Sequence, residues 1–479
     1  MKKGQRSVDL LVLISSLTVR QTPPSPTEWV TIRRYSHRIR ELSIDPPNLF
    51  SRYFLRATSL HPSLLVPNLK ALKWSPSIIT LRSSPLSIIF IQRLLNPSLV
   101  SLNVTVHETD DVTLQSFLAN LPFLCPILTI IVINNTARRR GGVSHKNTEV
   151  LSRAIPHHEH LECLDISIPV DDVALTHIAM SPKLKNIALV HHPDKSKLHR
   201  FCFPSDATPF RNVEHLSLDV WDLSFVTTLL RNQDQMFRSF ALCRHSTRPT
   251  TEAVFALFTA LASRQRTRSL RSISLKSHMY DVDRFASAEL DELAMGYHLT
   301  HDTFRPLTSL CHLRELCVDI GCWFSIDDDD LLSLTRNWPL LHVLHLNCKQ
   351  QIDGHIWRTA KYVTFEGLLS LLERCPHLHD LCLPLDARVP VPVSTGDVIC
   401  NPALTRIHFP NSPISDPRLV EEILARHFPT VETVDFLFTL PRDLEDRPDV
   451  ETYVALWNEV NTFLFGIHFP ASHGGGWGS

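Results

Sequence analysis

The sequence predicts an α/β repeat solenoid, in which short parallel strands alternate with helices along one continuous core. Three observations carry this. A strand-like motif recurs at near-regular intervals, amphipathic helical segments fill the gaps, and proline is frequent (33 residues) while glycine is scarce (13 residues). Frequent proline supplies chain breaks at helix ends. Scarce glycine agrees with the absence of any GxxxxGK[ST] or GxGxxG phosphate loop.

The motif is clearest in CPHLHDLCLP (residues 375–384), WPLLHVLHLN, CHLRELCVDI, HLECLDISIP, SPKLKNIALV and NPSLVSLNVT. Each reads apolar, two variable residues, apolar, one variable residue, apolar. Anchored on the first apolar position, the motif falls at Ile39, Leu69, Leu99, Leu128, Leu161, Leu184 and Val213. It continues at Phe237, Leu270, Leu313, Leu341, Leu378, Leu404 and Val431. The mean period is about 30 residues, within the leucine-rich-repeat range, and the Phe237 and Ile39 units match least well. Alternate apolar residues point one face of a short strand into a shared core. In the opening example those residues are Leu378, Leu381 and Leu383.

Parallel strands need a crossover of a dozen or more residues, usually a helix. VTFEGLLSLLERCP places Phe365, Leu368, Leu369 and Leu372 at helical spacing, with Thr364 as N-cap and Pro376 as the stop. DVTLQSFLANLPFLCP does the same with Val112, Leu114, Phe117, Leu118 and Leu121, and SIDDDDLLSLTRNWP with Leu331, Leu332 and Leu334. About fourteen irregular repeats are therefore expected over residues 29–440. They form a curved horseshoe with the parallel sheet on its concave face and helices on its convex face. Residues 1–28 read as an N-terminal segment whose 10–17 stretch can cap the first strand, 441–470 as a C-terminal capping helix, and 471–479 as a disordered tail.

Lys plus Arg number 48 and Asp plus Glu 49. This balance gives no global field toward nucleic acid or an anionic membrane, and neither is expected as a partner. No apolar stretch approaches the ~20 residues of a bilayer span. Eleven cysteines without a compact framework fit a reducing compartment, so the chain is expected in the cytoplasm or nucleus. The basic run ARRRGG (residues 137–142) reads as a solvated turn.

The chemical lures are weaker than they look. Cys375, His377, His379 and Cys382 resemble a metal knuckle. The repeat, however, puts Cys375 in a turn and Cys382 at the far end of a strand, too far apart for tetrahedral zinc. PHHEHLE (residues 156–162) fails both the HExxH and HxxEH spacings and reads as a surface turn. Asp327 to Asp330 lack the alternating oxygen ligands of a calcium loop and are explained by helix capping. No GxSxG nucleophile signature occurs. The expectation is a protein that is not an enzyme and carries no cofactor.

The sequence resembles a fungal, basidiomycete-type F-box/leucine-rich-repeat protein. The resembling residues are the cysteine-proline turns of LLERCPHLHDLCLPL and NLPFLCPILTIIVI, with the TFEGLLSLL helix. EWVTIRRYSHRIRELSID (residues 28–45) resembles the segment joining an F-box to the first repeat, and VETYVALWNEVNTFLF (residues 450–465) the closing amphipathic helix. The resemblance implies the substrate-recognition part of an SCF-type cullin-RING ubiquitin ligase. LLVLISSLTVRQTPPSPTEW shows no F-box pattern, so the F-box is expected to be absent or truncated. A Skp-type adaptor and cullin are partners only if an F-box lies upstream. The alternatives are a stand-alone interaction scaffold and a truncated gene product.

A protein partner is expected on the concave face. The variable strand position facing it holds Lys73, Asn103, Asp165, Ser217, Ser274, Cys317, His345, Cys382, His408 and Asp435. Cys317, His345, Cys382 and His408 fall in consecutive repeats as a ladder of ordinary surface residues, with a two- or three-ligand metal site as the alternative. Two insertions, near residues 277–303 and 349–362, become loops. The second offers His355, Trp357, Arg358 and Tyr362 as interface anchors.

Overall fold

The structure is a computed structural model describing residues 25–44, 66–75, 86–106, 111–135, 145–191, 209–220, 222–231, 237–244, 249–263, 269–277, 295–346, 361–389, 401–431, 433–436 and 448–465. His355, Trp357 and Arg358, the ARRRGG run and the 10–17 stretch lie outside the described residues. The chain is an α/β leucine-rich-repeat solenoid, and its contacts divide it into two compact units at Asp219/Val220.

In the first unit the strands follow chain order: β1 (Glu41–Ile44), β2 (Ala71–Trp74), β3 (Ser101–Val106), β4 (Ile130–Asn135), β5 (Cys163–Val170), β6 (Asn186–His191) and β7 (His215–Val220). In the second the order is β8 (Ser239–Arg244), β9 (Ser272–Ser277), β11 (Glu315–Asp319), β13 (Val343–Leu346), β14 (Asp380–Cys382), β15 (Arg406–His408) and β16 (Thr433–Asp435). There β10 (His298–Thr300) and β12 (Trp323–Ser325) form a separate parallel pair. Among the described residues, each of the fourteen solenoid strands starts two residues after a sequence anchor, including the weak Ile39 and Phe237 units.

One backbone device repeats along both units. The carbonyl just after the anchor accepts from two successive amides of the next repeat: Arg40 from Lys70 and Ala71, Lys70 from Val100 and Ser101, Arg314 from His342 and Val343, His342 from His379 and Asp380. Across the repeats these bonds measure 2.6–3.3 Å. They pin each strand's register, which fixes which side chains face the core. Leu378, Leu381 and Leu383 are buried there, and each such leucine contributes about 1.5–3 kcal/mol by leaving water.

A second device turns the chain into each strand. Among the described residues, in ten repeats the anchor's amide donates to the carbonyl three residues earlier, as Leu99 does to Asn96, Leu161 to His158, Val213 to Phe210, Leu341 to Trp338, Leu378 to Cys375 and Leu404 to Asn401. That corner residue is buried in every one of these repeats. The asparagine corners find backbone partners in the preceding repeat. Asn96 Nδ2 donates to the carbonyls of Val66 and Leu69, both at 3.3 Å, while Asn401 Nδ2 reaches those of Cys375 and Leu378 at 3.5 and 3.4 Å. The Cys375 thiol donates to the Trp338 carbonyl at 3.5 Å. Burial pushes this thiol up to about 12, so it stays neutral.

Helix caps follow the sequence closely. Asp327 caps the Asp328–Thr335 helix and forms a reciprocal capping box with Asp330. Thr364 caps the Phe365–Arg374 helix, which ends at Cys375. Asp328 joins the two helix starts, accepting from the Thr364 amide at 2.7 Å and its hydroxyl at 2.6 Å. Three core assignments need correction. Val112 is 69% exposed, because the Asp111–Leu124 helix buries Leu114, Phe117, Leu118 and Leu121 and turns Val112 away. Leu332 and Leu369 are only half-buried, and Leu371 takes a core place that strict spacing from Phe365 did not assign.

At the C-terminal end the Pro448–Phe465 helix covers the last repeats. Trp457 Nε1 donates to the Ser412 carbonyl at 2.8 Å, and Asn461 Nδ2 to the Val434 carbonyl at 2.9 Å. Among the described residues no helix is long and apolar enough to cross a membrane.

Candidate functional site

Side chains on the sheet face away from the helices come from two positions per strand, two residues apart, because a strand alternates its faces. The more C-terminal position is the row picked from the sequence. In the first unit, register sets Lys73 beside Asn103 and both in line with Val132 and Asp165. Lys73 is exposed, while Asn103, Asp165 and Ser217 are half-buried. Burial raises the Asp165 carboxyl above its usual range.

In the second unit the same row runs Ser274, Cys317, His345, Cys382, His408 and Asp435, each the register partner of the next. The row is thus assembled as the sequence indicated, with one correction. Cys382 is buried and disulfide-bonded, so it is not a rung that a partner would touch. Neighbouring strands sit ~4.8 Å apart, which spreads the row too widely for its members to converge. Among the described residues no group of three or more His, Cys, Asp or Glu side chains is placed to hold a metal ion.

The other position on each strand was missed, and it supplies the charge. Asp380 lies two residues before Cys382 on the same strand face, and Arg406 two before His408. His345 Nε2 is 2.8 Å from Asp380 Oδ1, and Arg406 approaches Asp380 Oδ2 at 3.3 Å. His408 Nε2 lies 3.3 Å from Asp435 Oδ2. Nearer the unit's middle, Ser272 Oγ donates to Glu315 Oε2 at 2.8 Å. The signal was available: period-two alternation places anchor plus two and anchor plus four on one face.

This cluster is electrostatically coupled. Burial opposes charge on His345, but its hydrogen bonds to Asp380 and Cys317 outweigh that and lift it to about 9. Burial also opposes charge on Asp380. The His345 bond, with the positive charge of His345, Arg406 and His408, nevertheless holds its carboxyl below the usual range. At neutral pH the pair is therefore an imidazolium against a carboxylate.

Other singled-out residues lie apart from this row. Tyr362 is half-buried beside a small apolar cleft lined by Phe324, Ile326, Leu346 and Leu383, and burial raises its phenol. Next to it Lys361 Nζ pairs with Asp327 Oδ2 at 2.6 Å. His342 stacks on His377 with ring centroids 5.7 Å apart and meets His379 edge-on at 6.0 Å, at the entry to the strands. PHHEHLE is a turn, but not wholly a surface one. His158 is a buried corner residue, and neither of its ring nitrogens has a hydrogen-bond partner among the described residues.

No family model matches the chain, and no curated protein does. Among solved structures the chain is similar to one from the crystal structure of the Rad7 and Elc1 complex in yeast. The identity is 13% and the TM-score 0.37, over 93% of this chain and 92% of that one.

Proposed function

We propose that this chain is a protein-binding repeat scaffold, with its docking surface on the open sheet face of β11 to β16. The observation that supports it is the mixed-sign row of Glu315, His345, Arg406, His408 and Asp435 on consecutive hydrogen-bonded strands, with the buried Asp380 holding His345 and Arg406 in place. A rigid surface with interleaved charges suits a protein partner of complementary pattern better than the uniform negative charge of a nucleic acid. With the F-box/leucine-rich-repeat resemblance, the scaffold reads as the substrate-recognition part of an SCF-type ubiquitin ligase working in the cytoplasm or nucleus. A stand-alone interaction scaffold without ligase recruitment is the second reading.

The test is purification of the full chain with a Skp-type adaptor and cullin, followed by cross-linking mass spectrometry of bound proteins. The ligase reading expects the adaptor to co-purify and substrate cross-links to map to β11–β16. The Arg406→Glu, His408→Glu double variant should then lose the substrate and keep the adaptor. Absence of the adaptor, with face-mapped partners retained, selects the stand-alone scaffold. Partners that cross-link elsewhere and ignore the double variant reject the surface.

A further inference from the structure

Cys317, His345 and Asp380 lie on three consecutive strands of the open face. Cys317 and His345 are register partners on β11 and β13, ~4.8 Å apart by sheet spacing, so the thiol and the imidazole are neighbours in one row. The same imidazole is anchored through Nε2 to Asp380 at 2.8 Å. Cys317 is free and half-buried, and the His345 side chain is 26% exposed, so a small reagent can reach the pair. A thiol beside a carboxylate-held imidazolium has the arrangement that favours the thiolate, which is the nucleophilic form of cysteine.

We infer that Cys317 is a nucleophilic thiol and a modification site for soft electrophiles and peroxides, with His345 as its proton partner and Asp380 as a positioning residue. Toward an alkyl halide, the thiolate sulfur forms a bond to carbon as the carbon–halogen bond breaks. The halide leaves, and the imidazolium keeps its proton. Toward a peroxide, sulfur attacks one oxygen and the O–O bond breaks. The cysteine is oxidised to a sulfenic acid, and the departing hydroxide takes a proton from His345 and leaves as water. An adduct would stand in the middle of the proposed docking row, but the inference is independent of that reading.

The other described free cysteines serve as internal comparators. Burial raises the Cys125 and Cys375 thiols to about 12 and also raises Cys163, whereas Cys311 is exposed. Charged groups near Cys317 on its own and adjacent strands are Lys276, Glu315, Asp319 and His345, with Asp380 one strand further and Arg406, His408 and Asp435 beyond it.

The experiment is site-resolved iodoacetamide labelling of the folded full chain from pH 6 to 8, read by mass spectrometry. Cys317 is expected to label about tenfold faster than Cys311 in the native chain. His345→Gln should bring Cys317 down to the rate of Cys311 without changing Cys311, and Asp380→Asn should fall between. Equal or slower labelling of Cys317 in the native chain overturns the inference, as does indifference to His345→Gln. If a variant unfolds, Cys125 and Cys375 become labelled, and the native ratio of Cys317 to Cys311 labelling alone then decides.

Discussion

His345 and Asp380, 35 residues apart in the chain, meet across two adjacent strands at 2.8 Å on the open sheet face. The contact joins a proton-binding side chain to the carboxylate that keeps it charged, and its pH signature follows from the two shifts. His345 in the folded chain is raised from 6.5 to about 9, so its contribution is complete below 6.5 and disappears as pH rises through 9. Asp380 is depressed, so its contribution is present above the ordinary carboxylate range and is lost on acidification. Stability from this pair should therefore be greatest between about pH 4 and 6.5 and fall by about 2 kcal/mol toward pH 9, after allowance for partial exposure. In Asp380→Asn, NMR titration of His345 should move back toward 6.5, and the alkaline decline should vanish from denaturation curves.

His158 works in the opposite direction. Burial, with the neighbouring His157 charge, lowers it from 6.5 to about 4. Protonation therefore favours the unfolded chain. Stability should be complete above 6.5 and fall as the pH drops toward 4, by up to about 3 kcal/mol. Asparagine fills the equivalent corner as Asn96 and Asn401, so His158→Asn should remove this acid limb in urea denaturation series recorded from pH 7 to 4.

Asn401 satisfies two buried carbonyls and accepts from the Ala403 amide at 2.9 Å. Asn401→Ala leaves these groups without partners in a site closed to water. The expected loss is about 2–3 kcal/mol, read as a lower denaturation midpoint with unchanged slope. Asn96→Ala should behave alike, since its Oδ1 accepts from the Ser98 amide at 2.8 Å.

Gly367 faces the Asp328 carboxylate so closely that an added Cβ would overlap it. Gly367→Ala gains up to about 1 kcal/mol of helix propensity, yet it must displace a carboxylate held by two bonds from Thr364. A net destabilisation of about 1–3 kcal/mol is expected by thermal or chemical denaturation. In an Asp328→Ala background the same change should become nearly neutral, and the double-mutant cycle measures that coupling.

Much of the solenoid was legible because strand and helix periodicities are local. Leu378, Leu381 and Leu383 announce one strand, and Thr364 with Phe365, Leu368 and Leu372 announces the helix before it. Even the weak Phe237 and Ile39 units mark strands, since two residues separate anchor from strand start throughout. Helix faces were read less well. Val112 and Leu369 fit the spacing of a buried stripe, but a helix's rotation against its neighbours is set by packing, which one period cannot specify.

The site divides along the same line. Period and alternation determined which residues share the open face, and so placed Cys317, His345 and His408 in one row. They did not reveal that Asp380 would charge His345, because that contact crosses 35 residues of chain and depends on the register of β13 against β14. Nor did they show that Cys382 is buried in a disulfide, or that His158 fills a closed corner. The sequence by itself determined the repeat, its period and its core. Tertiary structure alone decided burial and charge, because desolvation and Coulomb interaction depend on distances between repeats, and the chain's local pattern does not encode those distances.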